Sequence, residues 1–258
     1  LVGSESEAAE AWTLLAPAFA AAPETTDWLA DGARVTTPEE RARAAASYRA
    51  PVSELLELGQ ASFGLAWRDE PLTGLGHEHE GELLRMLVDT GLHEHDQTSP
   101  VIWAPIHALR ALARLRCAQA IEPILTLFHD NPDDDWILND TASALVNIGE
   151  PSLPAVHRLL ADEGAPQESR SLAADVLAVL ASQQPRLREE CVAALAGALR
   201  LQERNSPQFN AGLVSAMMTS AAVEHVGLIR AAFESENVDE LSCGSWETVA
   251  RELGVDRD

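Results

Sequence analysis

Two short segments hold the residue types best suited to chemistry. Gly76-His77-Glu78-His79-Glu80 and Leu92-His93-Glu94-His95-Asp96 each set two imidazoles two positions apart among carboxylates. Imidazole nitrogen and carboxylate oxygen are ordinary ligands of zinc and other first-row metals, so His77, His79, His93 and His95 are the candidate metal ligands. The stretch between the clusters, 78–90, carries apolar residues at helical spacing and is predicted to be one helix. At 1.5 Å per residue such a helix is about 20 Å long, which puts the clusters at its opposite ends. One site drawn from both would need a chain reversal. The expectation is therefore solvated histidines at helix ends, with no metal and no cofactor.

The run Asp130-Asn131-Pro132-Asp133-Asp134-Asp135 offers the oxygen ligands that calcium takes. A calcium-binding helix-loop-helix needs Gly at the sixth loop position and Glu at the twelfth, where Asp135 and Thr141 stand. These aspartates are better placed to cap the helix that follows. No G-x-S-x-G, no phosphate-binding Gly-Lys loop and no G-x-G-x-x-G occurs. Cys117, Cys191 and Cys243 are an odd, widely spaced set without C-x-x-C, which points to a reducing compartment, and Cys117 and Cys191, beside apolar helical stretches, are predicted to be core thiols. No catalytic residue is assigned, and the chain is read as non-enzymatic, the alternative being a metal-dependent enzyme that uses the His77, His79, His93 and His95 clusters.

Charge narrows the partners. Over 258 residues the acidic side chains outnumber the basic ones 41 to 18, for a net charge of −23. Lysine is absent, so every basic residue is arginine, and lysine Schiff-base or P-loop chemistry is excluded. Direct nucleic-acid binding is not expected, because phosphate contacts need clustered cations. The converse is open: an acidic mimic occupying a basic protein's nucleic-acid groove. With 46% hydrophobic residues the composition is that of a globular chain. No apolar run reaches the roughly 18 to 20 residues of a membrane span. The alanine-rich run 8–22 follows Glu5 and Glu7 and precedes the first arginine, Arg34, which is not the order of a secretory signal. A cytoplasmic protein away from membranes is expected.

The elements that must position any site are helices. From residue 103 onward apolar residues recur at helical spacing in blocks broken by short polar or proline-bearing turns, with no convincing period of two. Helix pairs are predicted over 103–115 and 121–128, 137–148 and 153–160, 171–180 and 187–201, and 209–218 and 223–233. Ala111-Leu112-Ala113-Arg114-Leu115 aligns with Ala144-Leu145-Val146-Asn147-Ile148, a spacing of about 33 residues that suits stacked repeats. Pro123 and Pro154 fall in the tolerated first turns of second helices. A pair of this size cannot bury its apolar face alone, so neighbouring pairs must share one core. The fold class expected is all-α, an α-solenoid of antiparallel helix pairs over 101–254. The less regular residues 1–100, with helices predicted over 39–48, 52–63 and 78–90 and a loop over 68–76, are expected to form an N-terminal helical cap continuous with it.

These residues resemble the HEAT-repeat superfamily, whose units are antiparallel helix pairs of similar length joined by a Gly or Asp turn. Asn147-Ile148-Gly149-Glu150-Pro151-Ser152-Leu153-Pro154 is similar to its turn. The closing stretch, Val238-Asp239-Glu240 and then Gly244-Ser245-Trp246-Glu247-Thr248-Val249-Ala250-Arg251-Glu252-Leu253-Gly254, is similar to the end of a bacterial HEAT-like family of unknown function. One HEAT-type enzyme binds two irons through repeated His-Glu pairs, but the equivalent positions here hold His107-Ala108, Asp140-Thr141 and Arg170-Ser171. The resemblance implies an interaction scaffold or adaptor whose partner is another protein. Second helices of such arrays line the concave face, which makes Glu122, His129, Arg158, Arg188 and Glu189 candidate groove residues. Trp103 and Trp136, like Trp246, stand near helix starts and serve either as interface anchors or as plugs between repeats.

Overall fold

The computed structural model describes residues 37–61, 74–93, 98–131 and 135–255. His95, the run 8–22, Asp133, Asp134 and most of the loop expected over 68–76 lie outside the described residues. The described chain is all-α, with no strand among the described residues. It divides into two compact units, one ending at Ser152 and the other beginning at Leu153.

In the first unit the helices are α1 (Pro38–Ala45), α2 (Glu80–Leu87), α3 (Thr90–His93), α4 (Ala104–Arg114), α5 (Ile121–Asp130) and α6 (Asp135–Ile148). Helix α4 lies at the centre, packed on α2 and α6, and α5 packs on α6. Every residue of α4 from Ala104 to Ala113 is buried, as expected of a helix whose sides are all Ala, Leu, Ile and Pro apart from His107 and Arg110. Leu83, Met86, Leu87, Leu109, Leu112, Ile124 and Phe128 are fully enclosed, each burial contributing about 1.5–3 kcal/mol.

In the second unit α7 (Leu153–Ala161), α8 (Gln167–Gln183), α9 (Arg188–Leu199), α10 (Pro207–Thr219), α11 (Val226–Glu234), α12 (Glu240–Cys243) and α13 (Trp246–Glu252) follow. Helix α8 is the central one, against α7, α9 and α10, and α12 packs on α10. Its core runs through Leu172, Leu177, Leu180, Leu195, Phe209, Leu213 and Met217.

Turns after three of the four first helices share one geometry, α8 ending instead at Gln184 with φ −127°. Arg116 (φ 55°), Gly149 (φ 82°) and Ala221 (φ 49°) each adopt the left-handed conformation just past α4, α6 and α10. After α4 and α10 the next amide reaches back to a carbonyl in the last turn, Cys117 N to Leu112 O at 3.0 Å and Ala222 N to Met217 O at 2.9 Å. This is the helix-ending motif that satisfies otherwise orphaned carbonyls, and glycine is its least strained occupant.

Two helices expected from periodicity are broken. The predicted 52–63 helix is a short 3₁₀ helix, Val52–Glu57, because only Val52, Leu55 and Leu56 supply a buried face and Gly59 (φ 69°) follows it. The predicted 78–90 helix is a 3₁₀ turn (His77–His79), then α2, then α3. The break at Val88–Asp89 follows from Asp89, whose Oδ1 accepts Gly91 N at 3.0 Å and whose Oδ2 accepts the Tyr48 hydroxyl at 2.6 Å. An aspartate that caps a new helix and anchors a tyrosine stops the old one. Among the described residues no helix is long and apolar enough to cross a membrane.

Candidate functional site

Each described histidine of the two clusters serves a helix boundary. His77 Nδ1 lies 2.6 Å from Glu80 Oε1, across the first turn of α2. His79 Nδ1 accepts the Gly76 amide at 3.0 Å. His93 Nε2 donates to Leu87 O at 2.8 Å, satisfying a terminal carbonyl of α2. Among the described residues no three His, Cys, Asp or Glu side chains come together as a metal-binding set.

The strongest electrostatic feature is one that periodicity does not single out. Arg110 and Asp140, on the adjacent helices α4 and α6, are both fully buried and paired side-on, Nε to Oδ2 at 2.6 Å and Nη2 to Oδ1 at 3.3 Å. Asn139 Nδ2 donates to Asp140 Oδ1 at 3.1 Å, and His107 Nε2 donates to Gly59 O at 2.8 Å. His107 and Asp140 are thus occupied in holding helices and the 3₁₀ segment together. The only sequence signal was a charged residue inside an apolar helix, which a buried pair and a solvated face produce alike.

The second unit buries a guanidinium differently. Arg170, on α8, is 8% exposed; its guanidinium sits 4.2 Å over the Phe209 ring, and Nε donates to Leu160 O at 3.1 Å near the end of α7. Burial lowers its pKa, opposed by the neighbouring charges of Glu163 and Asp162. Further along α8, half-buried Asp175 has no hydrogen bond or ion pair among the described residues, and desolvation raises its pKa from 3.8 to about 7. Asn205, Asn210 and Asn237 lace the turn after α9 to the chain before α12: Asn205 Nδ2 donates to Asn210 Oδ1 at 2.9 Å, and Asn210 Nδ2 to Asn237 O at 2.8 Å.

The candidate groove residues have diverse surroundings. Arg188 is a clamp: its guanidinium grips Glu224 at 2.7 and 3.0 Å and donates to Ser220 O and Ala221 O, and this pairing pulls the Glu224 pKa down to about 2. Glu122 is half-buried on α5, and exposed His129 lies 2.8 Å from Asp130. Arg158 on α7 and Glu189 on α9 are exposed. Between those helices His157 Nδ1 lies 3.6 Å from Glu190 Oε1. All three thiols are held protonated, Cys191 and Cys243 at about 11 and Cys117 raised, each chiefly by burial.

Trp103 and Trp136 meet. Their ring centroids are 4.7 Å apart at 81°, edge to face, joining the start of α4 to the first turn of α6, and both remain half-buried. Trp246 instead packs 6.0 Å from Phe233 with Arg230 over its ring at 5.9 Å. No family model, curated protein or solved structure matches this chain.

Proposed function

We propose that the chain is a HEAT-like helical-repeat interaction module: a cytoplasmic, non-catalytic scaffold or adaptor that binds another protein. Its helix pairs would stack as a solenoid, capped by the N-terminal helices, with the second helices α5, α7, α9 and α11 as the working surface. The observation that carries this reading is the division of labour within the pairs. The first helices α4 and α6 bury nearly all their described side chains, polar groups included, and α8 and α10 bury more than half of theirs. The second helices keep a polar row outside, with Arg158, Glu189 and Glu190 exposed on α7 and α9. The shared left-handed turn after α4, α6 and α10 supports a repeated unit. Reversing charges on the row, Arg158→Glu with Glu189→Arg, should strip a partner that co-purifies with the chain while moving the melting temperature little. Retention of the partner by the reversed protein would remove the second helices from the binding surface.

A further inference from the structure

We propose that Arg43, Arg49 and Arg85 form a docking point for an aspartate- or glutamate-rich segment of the protein partner, an inference that rests on the interaction-module reading above. Elsewhere the chain neutralises arginines at close range: Arg110 by Asp140, Arg188 by Glu224, Arg204 by Glu163 and Arg230 by Glu234, at 2.6 to 2.9 Å. The three arginines beside α1 and on α2 are treated differently. Arg49 is exposed, and its guanidinium makes no hydrogen bond or ion pair among the described residues. Arg43 is exposed and spends only Nε, on Glu39 O of its own helix at 3.3 Å. Arg85 meets one carboxylate, Glu82 Oε1 at 3.6 Å, and that oxygen already accepts the Arg49 amide at 3.0 Å. The Asp89 carboxylate is taken by the Tyr48 hydroxyl and the Gly91 amide.

The three converge on Ser47. Arg85 Nη1 donates to Ser47 Oγ at 2.8 Å and Nη2 to Ser47 O at 3.4 Å. Arg43 stands one helical turn before Ser47 and Arg49 two residues after it. The Arg85 guanidinium also lies 4.0 Å over the Tyr48 ring, which is itself buried and tied to Asp89 through its hydroxyl. Stacking and two hydrogen bonds thus hold the guanidinium before any ligand arrives, and little side-chain freedom is left to lose on binding. With the Nη1–Nη2 edge turned to Ser47, the Nε–Nη2 edge remains for a carboxylate, which takes two parallel N–H bonds in that geometry. Charge selects the occupant. A basic segment would be repelled by three guanidiniums, and a neutral one would leave them uncompensated. The net charge of −23 is spread over the whole chain and is screened beyond about 8 Å at physiological salt, so the nearby cations set the sign at this point.

The test uses the full chain and a dye-labelled short peptide of alternating glutamate and glycine at physiological salt, with serine-glycine and arginine-glycine peptides as controls, read by fluorescence anisotropy. The glutamate peptide should bind more tightly than the serine peptide, and Arg43→Glu/Arg49→Glu should weaken it about tenfold. Both changed side chains are exposed and neither has a carboxylate partner, so the fold is kept. Arg200→Glu/Arg251→Glu, which alters total charge equally at two exposed positions of the second unit, should leave the affinity unchanged. In side-chain nitrogen spectra the Arg85 Nε resonance, assigned with Arg85→Lys, should move on adding the glutamate peptide. Equal binding of the serine peptide, undiminished affinity in Arg43→Glu/Arg49→Glu, the same loss in Arg200→Glu/Arg251→Glu, a stationary Arg85 signal, or a dimer of this chain that Arg43→Glu/Arg49→Glu dissolves would each overturn the proposal. A co-purifying partner that stays on Arg43→Glu/Arg49→Glu and is stripped by Arg158→Glu/Glu189→Arg would likewise overturn it, and would leave the interaction-module reading standing.

Discussion

The two units bury an arginine in opposite ways. In the first, Arg110 is fully enclosed and matched by an equally enclosed Asp140. In the second, Arg170 keeps 8% of its surface, lays its guanidinium on Phe209 and donates to a helix-end carbonyl, with no carboxylate among the described residues as its ion-pair partner. A closed pair is worth little net against an apolar replacement, yet removing one member strands a charge in a medium that cannot solvate it. A stacked cation at a helix C-terminus loses less on removal, because the ring and the carbonyl are satisfied by other neighbours or by water. The first unit should therefore be brittle to charge deletion and the second tolerant.

The largest expected effect is in the first unit. Asp140→Ala should cost about 3–5 kcal/mol in chemical unfolding, whereas Arg110→Met combined with Asp140→Leu should recover more than half of that loss. Equal cost for the single and double changes would show that the pair itself, not the stranded charge, holds α4 to α6.

Asp175 gives a pH-dependent contrast in the tolerant unit. Its folded pKa, about 7, lies above the ordinary 3.8, so it destabilises the fold when ionised: nothing below about pH 4, increasingly up to about 7, and fully above that. Asp175→Asn should thus be neutral near pH 4 and stabilising on the order of 2 kcal/mol at pH 8, read from denaturant midpoints at the two pH values. A gain that does not vary with pH would assign the effect to packing. Arg170→Met should cost about 1 kcal/mol, well under the Asp140 change, as measured by thermal melting. The smallest effect is a gain. Ala221→Gly relieves a left-handed backbone at φ 49° and should stabilise by about 1 kcal/mol, with Arg116→Gly (φ 55°) behaving alike in the first unit.

The contrast also explains which parts of the molecule were legible in the sequence. The eight helices from α4 to α11 fall close to the expected ranges, because Ala- and Leu-rich blocks with a helical period and proline-bearing turns leave few alternatives. Region 52–93 was harder, since Asp89 looks like an ordinary solvated acid until Tyr48, 41 residues away, is found bonded to it. Arg110 and Asp140 are separated by 30 residues, and only packing makes them a pair. Likewise nothing in the spacing of His77, His79 and His93 shows that their partners are the Glu80 carboxylate, the Gly76 amide and the Leu87 carbonyl. The meeting of Trp103 with Trp136 follows from α4 and α6 being neighbours with their starts at one end, which the repeat spacing implied without naming the contact.

The most direct test of the account is native mass spectrometry of the untagged protein purified from its own host, with metal analysis of the same sample. The expected result is a stoichiometric protein partner and no tightly held metal. One or two metal ions retained in the absence of any partner, and lost on substituting His77 and His93, would contradict it and turn attention to metal-dependent chemistry.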